Sequence, residues 1–293
     1  PLAIAETAAQ WDKNGIGTNA AILLGLGQVR EAVMGNEMRA PTPTEMTRMK
    51  AMVETAMGEG AFGVSTGLQY IPGRYTTTEE LIEVAGAAAP FGGMYSTHMR
   101  SEEEKLIPAV EEAIRISEKT GLRLNISHLK SSARPNWGRL KEAVRLVAEA
   151  RSRGTEVTAD IYAYNKSATS SLEEIFNIPG DLEPLAGIAK KIASPDTTSA
   201  ERQDLDGRYA AELARALADP VSREKIRKLT ETGVSDKTNW VAKGGWENFT
   251  IMFSRTKPAF VGRMFCDLAV ELKRSEFDIA ADLYVAEGRD FLI

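Results

Sequence analysis

Two histidines, His98 and His128, stand 30 residues apart in the 293-residue sequence. A short apolar or β-branched run precedes each, Met94-Tyr95-Ser96-Thr97 the first and Leu124-Asn125-Ile126-Ser127 the second. Adjacent parallel strands run about 4.8 Å apart. Imidazoles closing two neighbouring strands at matching ends can therefore meet at one cation. Imidazole nitrogen suits zinc and related divalent ions, and the C-terminal strand ends are where α/β barrels carry out chemistry. Two unrelated histidines, each satisfied in a core or loop, would look alike in composition; their equivalent positions favour the shared cation. Two imidazoles alone do not complete a catalytic zinc site, which wants three protein ligands and an open position.

Other polar residues fall near the same strand ends. Lys130 could hold a carboxylate there, or simply be solvated. Tyr70, after Gly67-Leu68-Gln69, could line the same cleft. Asp160 is either an acid behind the ligands or a structural anchor. Tyr162 or Tyr164 could offer a hydroxyl to a substrate or an oxyanion, or pack. Met99-Arg100-Ser101-Glu102 follows the first histidine.

Several chemistries are excluded or disfavoured. The lone cysteine, Cys266, rules out an intrachain disulfide and a CxxC metal site, and fits a reducing, cytoplasmic compartment. It lies in a helical pattern and reads as core filler. Gly25-Leu26-Gly27 lacks the third glycine of a dinucleotide loop, and no phosphate-binding loop is present. A net charge of −5 argues against general nucleic-acid binding. No run reaches the ~18 apolar residues of a membrane span.

The elements that must position these residues alternate regularly. Strands are expected at Asn19–Leu24, Phe62–Ser65, Met94–Thr97, Arg123–Ser127 and Glu156–Ile161, the later ones starting about 30 residues apart, the length of a βα unit. Helices are expected at Thr44–Met57, from Thr78 to near Phe91, from an N-cap at Ser101 to Lys119, and at Leu140–Arg153. This rhythm implies an α/β fold with a parallel sheet, either a barrel or an open doubly wound sheet. Beyond Tyr164 it breaks. Residues 165–258 read as a mainly helical insertion with one strand candidate at Asn248–Phe253, and residues 259–293 as helices returning to the core formed by residues 1–164.

Four motifs occur together in order: Gly63-Val64-Ser65-Thr66-Gly67-Leu68-Gln69-Tyr70, Ser96-Thr97-His98-Met99-Arg100, Ile126-Ser127-His128-Leu129-Lys130, and Val157-Thr158-Ala159-Asp160-Ile161-Tyr162-Ala163-Tyr164. With Val33-Met34-Gly35, Arg39-Ala40-Pro41-Thr42 and Asn136-Trp137-Gly138, they resemble the N-acyl-D-amino-acid deacylase (D-aminoacylase) family of the amidohydrolase superfamily. The resemblance implies a (β/α)8 TIM-type barrel, partial in this chain, and zinc-dependent hydrolysis of the amide of small N-acyl-D-amino acids. It implies that His98 and His128 bind the metal, and that Tyr70, Lys130 and Tyr162, with Ser167 beside them, hold the substrate. The family's His-x-His, metal-binding cysteine and catalytic aspartate have no counterpart here. They are expected outside these residues, so the chain is expected to be an internal piece of a longer one and inactive alone. Ala163 replaces a usual proline, and Leu26 stands where a histidine is common. Two alternatives remain: a cyclic amidohydrolase opening a hydantoin-like or dihydropyrimidine ring, and a truncated, inactive binding scaffold.

Overall fold

The computed structural model describes residues 4–164, 171–194, 197–234, 239–290 and 293. The chain divides into two compact units, residues 1–132 with 136–163, and residues 133–135 with 164–293.

The first unit opens with α1 (Ile4–Asn14), followed by β1 (Leu23–Gly25), α2 (Leu26–Met34), α3 (Pro43–Gly58), β2 (Gly63–Gly67), α4 (Thr78–Gly86), β3 (Met94–His98), α5 (Leu106–Thr120), β4 (Arg123–Ile126), α6 (Leu140–Ser152) and β5 (Val157–Ala159). Local chemistry sets these boundaries. Thr42 and Glu45 form a reciprocal capping box at the start of α3, with Pro43 in its first turn. Met46, Met49, Val53, Ala56 and Met57 make its buried stripe. Gly63 is demanded by close approach, since a Cβ there would lie 2.1 Å from the Met94 carbonyl oxygen.

The five strands are parallel and lie side by side in sequence order, β1-β2-β3-β4-β5. Val64, Tyr95, Leu124 and Val157 are register partners and form one buried row. They share a core with Met49 and Val53 of α3, Leu81 and Val84 of α4, Val110 and Ile114 of α5, and Ala143 of α6. The alternate row, Ser65, Ser96, Asn125 and Thr158, is polar. A doubly wound sheet reverses its strand order and carries apolar residues on both faces. Sequential order with one apolar, helix-covered face is the wall of a barrel, and the open alternative falls away.

The second unit contains α7 (Leu185–Ala193), α8 (Ser199–Ala218), α9 (Pro220–Thr232), α10 (Trp240–Gly244), α11 (Phe265–Leu272) and α12 (Glu276–Glu287). Its own core includes Phe176, Phe265, Phe277 and Tyr284. The Phe176 ring meets Phe277 and Tyr284 edge-on, at centroid distances of 5.6 and 5.9 Å. The strand expected at Asn248–Phe253 does not form. An isolated antiparallel bridge joins Thr250 to Met264 and Phe253 is a further bridge residue, but among the described residues no ladder extends from either. Among the described residues, no helix is long and apolar enough to cross a membrane.

Candidate active site

His98 is the last residue of β3 and pairs with Gly67 of β2. The ladder runs on beyond it: the Leu68 amide donates to the His98 carbonyl at 3.0 Å, and the Ser127 amide to the Thr97 carbonyl at 3.0 Å. Register puts Ser127 level with His98, so a regular strand would carry His128 past it. The chain turns instead. His128 adopts φ 41°, a left-handed conformation uncommon outside glycine. Asp160 braces the turn. Its Oδ1 accepts from the His128 amide at 2.6 Å, its Oδ2 from Asn125 Nδ2 at 2.8 Å, and its carbonyl from the Leu129 amide at 2.9 Å. Asp160 is thus an anchor for the turn, one of its two sequence readings.

The turn brings the two imidazoles together. His98 Nδ1 lies 3.1 Å from His128 Nε2, with ring centroids 4.7 Å apart and planes at 76°. His98 Nε2 is buried without a hydrogen-bond partner among the described residues. Burial pushes the His98 pKa below the usual imidazole range, outweighing the opposing charge of Glu102. A neutral imidazole is the form that binds metal.

Glu102, unassigned from sequence, joins this pair. Its side chain is 8% exposed, with Oε1 2.6 Å from His128 Nδ1 and Oε2 2.5 Å from Lys130 Nζ. The Oε1 contact misses hydrogen-bond angles, leaving that oxygen buried and unsatisfied. Donor atoms of His98, Glu102 and His128 all lie within 4.8 Å of one another. Ser101 was expected to cap a helix carrying Glu102 in its first turn. The helix starts later, at Leu106, and residues 101–105 form a loop. The Ser132 amide donates to the Glu102 carbonyl at 2.7 Å, tying that loop to the one after β4. The available clue was an acid four residues beyond one of only two histidines.

The other expected residues are placed as follows. Tyr70 is largely exposed, its ring centroid 5.1 Å from that of His98. Lys130 Nζ sits 5.6 Å from the centre of the Tyr162 ring, a cation–π distance. Tyr164 is exposed, and Ser167 lies outside the described residues. A cavity of 280 Å³ lined by Arg151, Gly154 and Thr155 opens at the other end of β5, away from the imidazoles.

No protein-family model matches the chain. Among curated proteins it is similar to the D-aminoacylase of Alcaligenes xylosoxydans xylosoxydans, 41% identical over 151 residues, covering 52% of this chain and 31% of the relative. The N-acyl-D-glutamate deacylase of the same organism is 34% identical over 156 residues, covering 53% and 32%. The chain thus spans about a third of the length of these relatives. Among solved structures, the N-acyl-D-glutamate deacylase of Bordetella bronchiseptica, complexed with zinc and a phosphonate inhibitor, superimposes with a TM-score of 0.62 at 25% identity, covering 96% of this chain and 45% of that one. A D-aminoacylase crystal structure gives a TM-score of 0.59 at 25% identity, with 96% and 45% covered. These likenesses bear out the resemblance carried by the motifs and the barrel class of the fold.

Proposed function

We propose that this chain carries part of the active site of a zinc-dependent deacylase of N-acyl-D-amino acids, working in the cytoplasm. The observation that carries the reading is the pair of imidazoles at adjacent strand ends, with His98 Nε2 buried and without a hydrogen-bond partner among the described residues. Two imidazoles and a nearby carboxylate are a donor set that fits zinc. His98 and His128 would hold the ion. Bound there, zinc supplies Lewis acidity and a water acidified to a pKa of about 7.

The chain's own residues do the positioning. Asp160 fixes the backbone that aims His128. Lys130 has three N–H donors; they face Glu102, the His128 carbonyl and His128 Nδ1, and the one on Nδ1 can turn to a substrate carboxylate. Fixing that end orients the amide at the histidine pair and converts binding into orientation. Tyr70 and Tyr162 flank the imidazoles and Lys130, and Ser167 belongs to the same substrate-holding set. Glu102 and Asp160 already have partners, so the reading takes the proton-accepting aspartate from outside these residues.

The test is a hydrolysis panel, on the protein that carries these residues, of N-acetyl-D-amino acids, their L-enantiomers, hydantoin and dihydrouracil. Deacylation of the D-series that vanishes in His98→Ala and His128→Ala supports the reading. Opening of the cyclic amides alone, or zinc binding with no turnover, replaces it with one of the two alternatives.

A further inference from the structure

We propose that Glu102 is a positioning residue that organises both halves of the site, selecting the metal-competent form of His128 with one oxygen and seating Lys130 with the other. This inference rests on the function proposed above. His128 Nε2 faces His98, so for that nitrogen to offer a lone pair to a cation the ring proton must sit on Nδ1. Two groups face Nδ1: Glu102 Oε1 at 2.6 Å and Lys130 Nζ at 3.2 Å. An ammonium favours a bare Nδ1, which would place the proton on Nε2 and block the cation. A carboxylate favours Nδ1–H. The buried Oε1 otherwise has no hydrogen-bond partner, so a small ring adjustment that brings Nδ1–H to it removes a costly unsatisfied charge. The same tautomer releases Lys130 from Nδ1 and leaves one of its N–H groups for substrate. Carboxylates behind metal-binding imidazoles typically change metal affinity by 10- to 100-fold.

Ring ¹⁵N signals assigned to His98 and His128 by substituting each in turn report the tautomer of each ring. The test compares wild type, Glu102→Gln and Glu102→Leu by two readouts: ring ¹⁵N shifts of the metal-free protein, and calorimetric titration with zinc. Thermal melts confirm that each variant is folded. Wild type is expected to hold the proton on His128 Nδ1. In Glu102→Leu the proton is expected to move to Nε2 and zinc affinity to fall 10- to 100-fold. Glu102→Gln keeps an acceptor oxygen and is expected to retain the wild-type tautomer. A folded Glu102→Leu with an unchanged His128 tautomer overturns the inference, as does zinc affinity within twofold of wild type. If wild type binds no zinc while the tautomer shifts as expected, the functional reading fails and the role of Glu102 stands.

Discussion

Asp160 Oδ1 accepts a hydrogen bond from the backbone amide of His128 at 2.6 Å, and it is this bond that pins a non-glycine residue at φ 41°. A left-handed backbone at such a residue costs about 1–3 kcal/mol and persists only where its surroundings impose it. The acid one strand away therefore decides where the imidazole points. Asp160→Ala removes the acceptor for the His128 amide and for Asn125 Nδ2 together. The expected loss is about 1–3 kcal/mol of stability, with weakened zinc binding because the His128 ring is no longer aimed at His98. Denaturant unfolding and zinc titration measure the two effects. Unchanged zinc affinity would show that the turn holds itself.

Arg100 performs a similar task for the loop after β3. Its guanidinium pairs with Glu112 of α5 at 2.9 Å and donates to the carbonyls of Arg74 at 3.1 Å and Thr76 at 2.9 Å. The planar fork of arginine suits this multiple grip and the point charge of lysine does not. Arg100→Lys should cost nearly as much stability as Arg100→Ala, about 1–3 kcal/mol. Urea unfolding of both variants checks this, and a neutral Arg100→Lys would contradict the geometric argument.

The barrel elements of the chain were legible because their signals are local. Polar or glycine-bearing ends bounded the strands at Met94–His98 and Arg123–Ile126, and the helix start expected at Thr44 lies one residue inside α3, which begins at Pro43. The histidine pair was legible from spacing, since matching strand ends fall one βα unit apart. Glu102 was obscured by its context: an acid just before an amphipathic pattern also looks like a helix first turn. Its partners, His128 and Lys130, come from the loop after the next strand, and only the folded chain brings them within reach. The first strand slid from Asn19–Leu24 to Leu23–Gly25 for a related reason. Among the described strands it pairs only with β2, whose register starts at Leu23↔Gly63; the Phe62 amide still donates to the Ile22 carbonyl at 2.8 Å, but no pairing reaches residues 19–21.

Lys130 gives a prediction about substrate rather than stability. If its ammonium holds the substrate carboxylate, Lys130→Met should raise KM for an N-acyl-D-amino acid by 10-fold or more, since losing a charge-assisted contact costs about 1.5–3 kcal/mol. The C-terminal amide of the same compound has no carboxylate to hold, so its KM should move far less. Steady-state kinetics on the two compounds decide the point; equal shifts would mean that Lys130 supports the site only through Glu102.

Glu287, at the end of α12, sets the acid sensitivity of the second unit. Its side chain is buried and accepts from Ser254 Oγ at 2.6 Å, Thr256 Oγ1 at 2.6 Å, the Arg255 amide at 2.7 Å and the Thr256 amide at 3.1 Å. Burial alone would raise the carboxyl pKa, but the hydroxyls and amides prevail and hold it below the ordinary glutamate value. A carboxyl depressed in the folded state binds fewer protons there than in the unfolded chain. Its stabilisation is therefore complete above the unfolded pKa of about 4.3 and drains away as pH falls through the lower folded value. Glu287→Gln should cost about 2–4 kcal/mol at pH 7, because the charge is lost and an amide N–H₂ is turned against donors. The gap between wild type and Glu287→Gln should narrow steadily below pH ~4. Urea midpoints at several pH values give the comparison. A gap that stays constant into acid would mean the carboxyl is already protonated in its nest of donors, reversing the sign of its contribution.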